Sequence, residues 1–188
     1  MRVIAGKFRS RPLQSLRGMD IRPTSDRLRE TLFDVLTAGN PDALAGSVWV
    51  DLFAGTGAVG IEALSRGAGM VYFVESSKHA AGVIQTNLRS LGVSDRFEIL
   101  QNGTLRVIGD LERRASSADF IFLDPPYAMR EAYAKTLSAL SDSSLSESAV
   151  VIAEHEKKFD PGEKFGSLQR FRTLLQGDAG LSFYSRAG

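Results

Sequence analysis

The 188-residue chain has no cysteine. This excludes a disulfide frame, a thiol nucleophile, an iron–sulfur cluster and any cysteine-ligated zinc. Imidazole is nearly as scarce. Only His79 and His155 supply it, neither has a partner at ligand spacing, and no metal is expected. No apolar run approaches the roughly 18 residues of a membrane span, and no signal peptide with a hydrophobic centre is visible, so a soluble cytoplasmic protein is expected. Repeats and low-complexity runs are absent, and the serine-rich stretch Ser141–Ser148 reads as a loop. What remains is an ordinary globular composition, 43% apolar and 24% charged. That balance excludes a disordered tail, a collagen-like repeat and a coiled coil. A chain of this length buries roughly 70% of its unfolded surface, enough for one full core.

The net charge of +1 conceals an asymmetry. Arg2, Lys7, Arg9, Arg11 and Arg17 give residues 1–19 a charge of +5, with no acid among them. The other 18 basic and 22 acidic residues leave the body at −4. A basic head on a slightly acidic body suggests an arm that binds a polyanion; the alternative is a solvated terminus.

Strand and helix patterns alternate. Arg2–Ala5 and Leu13–Leu16 read as a small hairpin. Thr24 or Ser25 can cap a helix that runs to about Leu36, where Gly39-Asn40-Pro41 stops it. Strands follow at Val48–Phe53, Met70–Val74, Phe97–Leu100, Asp119–Leu123 and Ala149–Ala153. Helices separate them at Ala58–Arg66, Lys78–Leu91, Leu105–Arg114 and Glu131–Leu140. Two extended stretches, Leu168–Leu175 and Leu181–Ser185, flank a glycine turn and read as an antiparallel pair. Phe159-Asp160-Pro161-Gly162 reads as a turn, and Trp49 as packing. Alternation of this kind implies a mostly parallel α/β sheet covered on both faces.

Asp51-Leu52-Phe53-Ala54-Gly55-Thr56-Gly57-Ala58-Val59-Gly60 lies where the first strand hands over to a helix. Glycines there permit a tight turn and close approach of a ligand, and the helix start offers free amides. Gly55, Gly57 and Gly60 match the dinucleotide spacing, and Glu75 follows Gly55 by 20 residues, at the end of the next strand, where an acid binds ribose hydroxyls. Asp51 discriminates between cofactors. A pyrophosphate would be repelled by its carboxylate, whereas the sulfonium and ammonium of S-adenosylmethionine would be attracted. The pattern Asp-x-Phe-x-Gly-x-Gly resembles the first motif of class I methyltransferases.

Asp124-Pro125-Pro126-Tyr127 follows the fourth strand and faces the same crevice beyond the strand ends. The prolines stiffen the loop and remove two N–H donors, leaving carbonyls. The Asp124 carboxylate and Pro125 carbonyl can accept both N–H bonds of an exocyclic amino group. Tyr127 offers a face for stacking a base, worth ~1–3 kcal/mol. Two acceptors favour a more tetrahedral nitrogen and stabilise the positive charge that develops on it.

Together the two motifs resemble those of methyltransferases acting on amino groups of nucleic-acid bases or of glutamine. Further segments narrow this: Val3-Ile4-Ala5-Gly6 with Lys7 and Arg9, Ile21-Arg22-Pro23-Thr24-Ser25-Asp26-Arg27-Leu28-Arg29-Glu30 with Phe33, and the terminal Leu181-Ser182-Phe183-Tyr184. Across essentially the whole chain the sequence resembles the bacterial 16S rRNA guanine-N2 methyltransferase family, the RsmD family. The resemblance implies a Rossmann-like class I fold with a seven-stranded, mostly parallel sheet, an antiparallel C-terminal hairpin and a small N-terminal β-hairpin plus helix. It divides the chain into a basic RNA-contacting extension, residues 1–40, and a methyltransferase domain, residues 41–188. It also implies S-adenosylmethionine as cofactor, no membrane partner, and 16S rRNA or a small-subunit assembly intermediate as substrate of a monomer. By position, Asp51, Gly55 and Gly57 hold the methionine part and Glu75 the ribose, with Phe53, Thr56, Ser76, Asn102 and Gly103 completing the cofactor site. Asp124, Pro125, Pro126 and Tyr127 hold the target base. Lys7, Arg9, Arg11 and Arg22 contact RNA, while Thr24 either lines the cleft or caps the helix. One departure stands out: Leu100-Gln101-Asn102-Gly103-Thr104 lacks the acid that reads adenine in many methyltransferases, leaving that task to the side chain or backbone of Asn102. The rival readings are an adenine-N6 or protein-glutamine methyltransferase, an NAD-dependent oxidoreductase, and a non-catalytic rRNA-binding module.

Overall fold

A computed structural model describes residues 1–16, 24–114 and 116–187. Ser25 opens α1 (Asp26–Thr37), its side chain accepting a hydrogen bond from Leu28 N–H. Then come β1 (Val48–Asp51), α2 (Ala58–Ser65), β2 (Met70–Val74), α3 (Lys78–Ser90), β3 (Phe97–Leu100), α4 (Thr104–Arg113), β4 (Phe120–Leu123), α5 (Arg130–Asp142) and β5 (Val150–Glu156). The chain ends in β6 (Lys164–Phe165), β7 (Leu168–Gln176) and β8 (Ala179–Arg186). The strands form one sheet in the order β3-β2-β1-β4-β5-β8-β7-β6. The first five are parallel and the last three antiparallel. Strand order reverses at β1, which lies between β2 and β4, so a crevice opens there at the C-terminal strand ends.

Successive side chains of a strand face opposite sides. Trp49, Phe73, Phe122 and Ile152 therefore join one apolar cluster, with residues of α1, α2 and α3. Val50, Val74, Leu123 and Ala153 join the other, with residues of α4 and α5. Trp49 is fully buried and stacks on Phe33, as a packing role requires. His155 is buried in the sheet and His79 is exposed on α3. Among the described residues, no helix is long and apolar enough to cross a membrane, and no group of three or more acids or histidines is placed to hold a metal ion.

Two expectations need correction. The sheet has eight strands, not seven. The extra edge strand, β6, pairs only Lys164 with Gln169 and Phe165 with Leu168, too short a segment to carry any periodicity. The N-terminal hairpin is reduced to one isolated bridge between Arg2 and Pro12, around a 3-10 turn at Gly6–Phe8. Val3 and Leu13 N–H bond across it, to the Arg11 and Met1 carbonyls, but other amides of the segment go elsewhere. Ile4 and Ala5 N–H donate to the two oxygens of Glu62 at 2.8 and 2.9 Å, Phe8 N–H donates to Ser65 Oγ, and Gln14 N–H donates to Asn87 Oδ1.

Glu62 is the tie. It is fully buried on α2, and beyond those two amides it accepts from Arg66 Nε at 2.8 Å and lies 3.9 Å from Arg29 Nε. Removing one member of a buried ion network leaves its partners uncompensated. Glu62→Ala is expected to cost about 3–5 kcal/mol in urea unfolding. It should also expose the amides of Ile4 and Ala5 to rapid hydrogen exchange.

Candidate active site

The turn from β1 to α2 is left-handed at Gly55 and Gly57, with φ of 54° and 80°, conformations that glycine adopts without strain. Gly60 serves a different end. A Cβ there would stand 2.4 Å from the Phe73 ring, so this glycine lets α2 pack against β2 and does not make room for a ligand. Carboxylates claim the turn's amides. Gly60 N–H donates to Asp51 Oδ2 at 3.1 Å. Gly55 N–H donates to Glu75 Oε2 at 2.9 Å, while Ser77 N–H donates to Glu75 Oε1 at 2.8 Å. Thr56 is buried, its hydroxyl facing Met1 Sδ and its carbonyl accepting from Asn87.

A cavity of about 360 Å³ opens beside this turn. Phe53, Glu75, Ser76, Asn102 and Gly103 line it, together with residues from the first turns of α4 and α5. Leu105 and Met129 stand at its rim, each about half exposed, an apolar feature that isolated sequence positions do not reveal. Asn102 Oδ1 accepts from Gly103 N–H, and Thr104 Oγ1 donates to the Leu52 carbonyl, fixing the floor. Asp51, Gly55, Thr56 and Gly57 do not line this cavity; they form the turn next to it.

Asp51, Glu75, Asp124 and Glu154 each follow by two residues a side chain of the Trp49–Phe73–Phe122–Ile152 face. Strand periodicity thus puts all four carboxylates on one face, at the C-terminal ends of β1, β2, β4 and β5. Asp51 pairs in register with Phe122, so Asp124 lies two residues further out on the adjacent strand. In the loop after β4, Pro125 is buried, Asp124 and Tyr127 are half-buried and Pro126 is exposed. Pro126 accepts a backbone bond from Met129 N–H at 2.7 Å, which closes the loop. Burial, followed by the charges of Glu154 and Asp51, pushes Asp124 well above the usual carboxylate range. Burial also pushes Asp51 up to about 7, against the pull of the Gly60 amide.

Of the basic residues, Lys7 and Arg9 are exposed. Arg11 is exposed as well, with its guanidinium donating to the Ser90 carbonyl. Arg22 lies outside the described residues. Thr24 does not cap α1, a role Ser25 takes; its hydroxyl donates to Glu154 Oε2 at 2.7 Å. Glu154 escapes a reading of the sequence that ends the fifth strand at Ala153. The available signal was an acid directly after a buried strand, repeating the positions of Glu75 and Asp124.

Asp51 binds its proton more tightly in the folded protein than unfolded, where it titrates near 4. Stability present below pH 4 is therefore lost as pH rises to 7, by roughly 4 kcal/mol at most. Asp51→Asn keeps an acceptor for Gly60 N–H and removes the titration. Its unfolding free energy should be flatter than that of the natural chain between pH 4 and 7 and higher at pH 8, as read by urea titrations across that range.

Comparison with known proteins follows the same geometry. Residues 1–185 match the family model described as Conserved hypothetical protein 95. The Bacillus subtilis protein YlbH is 33% identical over 190 residues, covering all of both chains. The ribosomal RNA small subunit methyltransferase D of Haemophilus influenzae is 35% identical over 159 residues, 84% of this chain and 79% of that one. Among solved structures, the Escherichia coli protein yhhF superposes with a TM-score of 0.79 at 25% identity, covering 99% of this chain and 97% of that one. On its sequence, on the order of its strands and on the two motifs that meet at their ends, this chain belongs to that family, the one that contains the ribosomal RNA small subunit methyltransferase D proteins.

Proposed function

We propose that the protein transfers a methyl group from S-adenosylmethionine to the N2 amino group of a guanine in small-subunit rRNA. What supports this most is the neighbourhood of Asp51 and Asp124, on paired strands, on one sheet face and at one end, beside a cavity that reaches Glu75. The charge of the turn selects the cofactor class. A pyrophosphate would need the amides at the start of α2, but the Asp51 and Glu75 carboxylates already hold two of them. The turn therefore presents negative charge and suits a cationic ligand, which speaks against the oxidoreductase reading.

Bound S-adenosylmethionine would supply an activated methyl group, with the sulfonium sulfur as leaving group. The chain's residues do the rest. Phe53, Ser76, Asn102 and Gly103, which line the cavity, would hold the adenosine, and Glu75 keeps lone pairs that could accept from ribose hydroxyls beyond its two amides. Gly55 and Gly57 shape the backbone along the methionine part, and Thr56 contributes through its backbone, since its side chain faces inward. Asp51 acts at short range through its charge. On the base side, Asp124 and the Pro125 carbonyl accept the two N2–H bonds, while Tyr127 stacks on the ring and Pro126 stiffens the loop. A guanine drawn out of its stack costs a few kcal/mol, which stacking on Tyr127 offsets in part. Positioning and stabilisation of developing charge supply the barrier reduction.

The RNA is held through its phosphates by Lys7, Arg9 and Arg11, and Arg22 is assigned to the same role on the sequence alone. We take rRNA or a small-subunit assembly intermediate as substrate of a cytoplasmic monomer.

Asp124→Ala should lower radiolabelled methyl transfer to rRNA by about 10²–10³-fold while calorimetric binding of S-adenosylmethionine stays as in the natural chain. Lost cofactor binding with normal turnover at saturation would refute the role of Asp124. Replacing Lys7 and Arg9 together by alanine should weaken rRNA binding and make the plot of log affinity against log salt shallower by roughly 1.5, measured by filter binding.

A further inference from the structure

A second cavity, also about 360 Å³, opens between the N-terminal segment and the first turns of α1. Arg2, Arg9 and Ser10 line one wall, and Asp26, Arg27 and Glu30 line the other. Its volume lies in the range of small-ligand sites. Arg29 rivets the two walls together. It is fully buried, and its Nη2 donates both to the Arg2 carbonyl and to Asp26 Oδ1, the latter at 3.0 Å. Ser10 N–H donates to the Val3 carbonyl at 2.9 Å, which closes the turn that presents Arg9 and Ser10. The walls are thus in place before a ligand arrives, and little ordering remains to oppose binding.

Charge sorts the lining. Asp26 is matched within the protein, since Arg2 Nε lies 3.7 Å from one of its oxygens and Arg29 bonds the other. Arg9, Arg27 and Glu30 are exposed, and none of them makes an ion pair among the described residues. The cleft therefore offers two unmatched guanidiniums, one unmatched carboxylate and the Ser10 hydroxyl. A bare phosphate would use the guanidiniums and be repelled by the carboxylate. A nucleotide uses all four groups: its phosphate takes the planar guanidinium forks, and its sugar hydroxyl or base amino group donates to the carboxylate. The place also fits. Arg27 follows Thr24 by three residues, at most about 11 Å of chain. The Thr24 hydroxyl donates to Glu154 Oε2 on β5, the strand beside the one that Asp124 follows. The cleft thus flanks the base site. Resting on the rRNA reading proposed above, we infer that this cleft holds one nucleotide of the RNA strand flanking the target base, its phosphate between Arg9 and Arg27 and its sugar or base against Glu30 and Ser10.

The test is filter binding of rRNA across a salt series, with the natural chain, Arg27→Ala, Arg27→Lys and Glu30→Ala. Both side chains are exposed, so urea unfolding of each variant should match that of the natural chain. Arg27→Ala should weaken binding about tenfold. Its plot of log affinity against log salt should be shallower by about 0.7–0.9, the share of one phosphate. Arg27→Lys keeps the charge and loses the fork, so it should restore the slope and only part of the affinity. Glu30→Ala should weaken binding about threefold with the slope unchanged. Tighter binding in Glu30→Ala would make the cleft a plain phosphate track and overturn the inference. Unchanged affinity and slope in Arg27→Ala would overturn it as well. So would an excess of free AMP that erased the difference between Arg27→Ala and the natural chain, since the cleft would then belong to a free nucleotide. A natural chain that does not bind rRNA would instead refute the rRNA reading itself, a result distinct from these.

Discussion

One backbone amide of the turn before α2 and one of its first turn are bonded to carboxylates, Gly55 to Glu75 and Gly60 to Asp51, and the site is organised around that choice. A helix start is by default an anion seat. Here the protein fills it with its own acids, so the turn keeps its shape with no ligand and offers negative charge to the crevice. The same bonds tie the ends of β1 and β2 to the turn between them. The position of the cavity wall at Phe53 and Glu75 is a consequence, as is the position of Asp51 relative to Asp124.

That choice concentrates acid on one face of the sheet. Burial raises the affinity of Asp51 and Asp124 for protons, and the charge of Glu154 adds to the effect on both. The cost in stability falls on the residues of the proposed site. A buried acid near neutrality can exchange a proton at cellular pH, which an exposed aspartate cannot do. The opposite face holds the apolar cavity between α4 and α5, lined in part by Leu105 and Met129. The strand ends thus carry buried acids beside a cavity with an apolar rim, and a ligand that is apolar and aromatic at one end and cationic at the other fits across them.

Much of this was legible in the residues. Met70–Val74 and Phe97–Leu100 appear in the structure with the bounds their composition suggested. The other long elements differ by a few residues, since caps and strand ends depend on bonds that periodicity does not encode. Both motif carboxylates were legible because Asp51 ends a buried apolar strand and Asp124 directly follows another. Three features were not. β6 has two residues and exists only through its turn. The N-terminal arms alternate as a hairpin would, but the amides of Ile4, Ala5, Phe8 and Gln14 are drawn to Glu62, Ser65 and Asn87, more than fifty residues away. Glu62 itself sits in the apolar run of α2, where nothing local distinguishes a buried ion network from a solvated side chain.

The docking of the N-terminal segment bears on how the chain matures. Its anchors are separated from it by 57 to 73 residues along the chain. During synthesis, residues 1–16 leave the ribosome well before α2 and α3 exist to receive them. For that interval the most basic stretch of the polypeptide is an unfolded cation beside a polyanionic machine, and long-range closures of this kind are slow. Assembly of α2 and α3 withdraws its backbone amides into the fold and leaves Lys7, Arg9 and Arg11 displayed on a fixed surface. Folding thus turns a diffuse positive charge into one of fixed orientation.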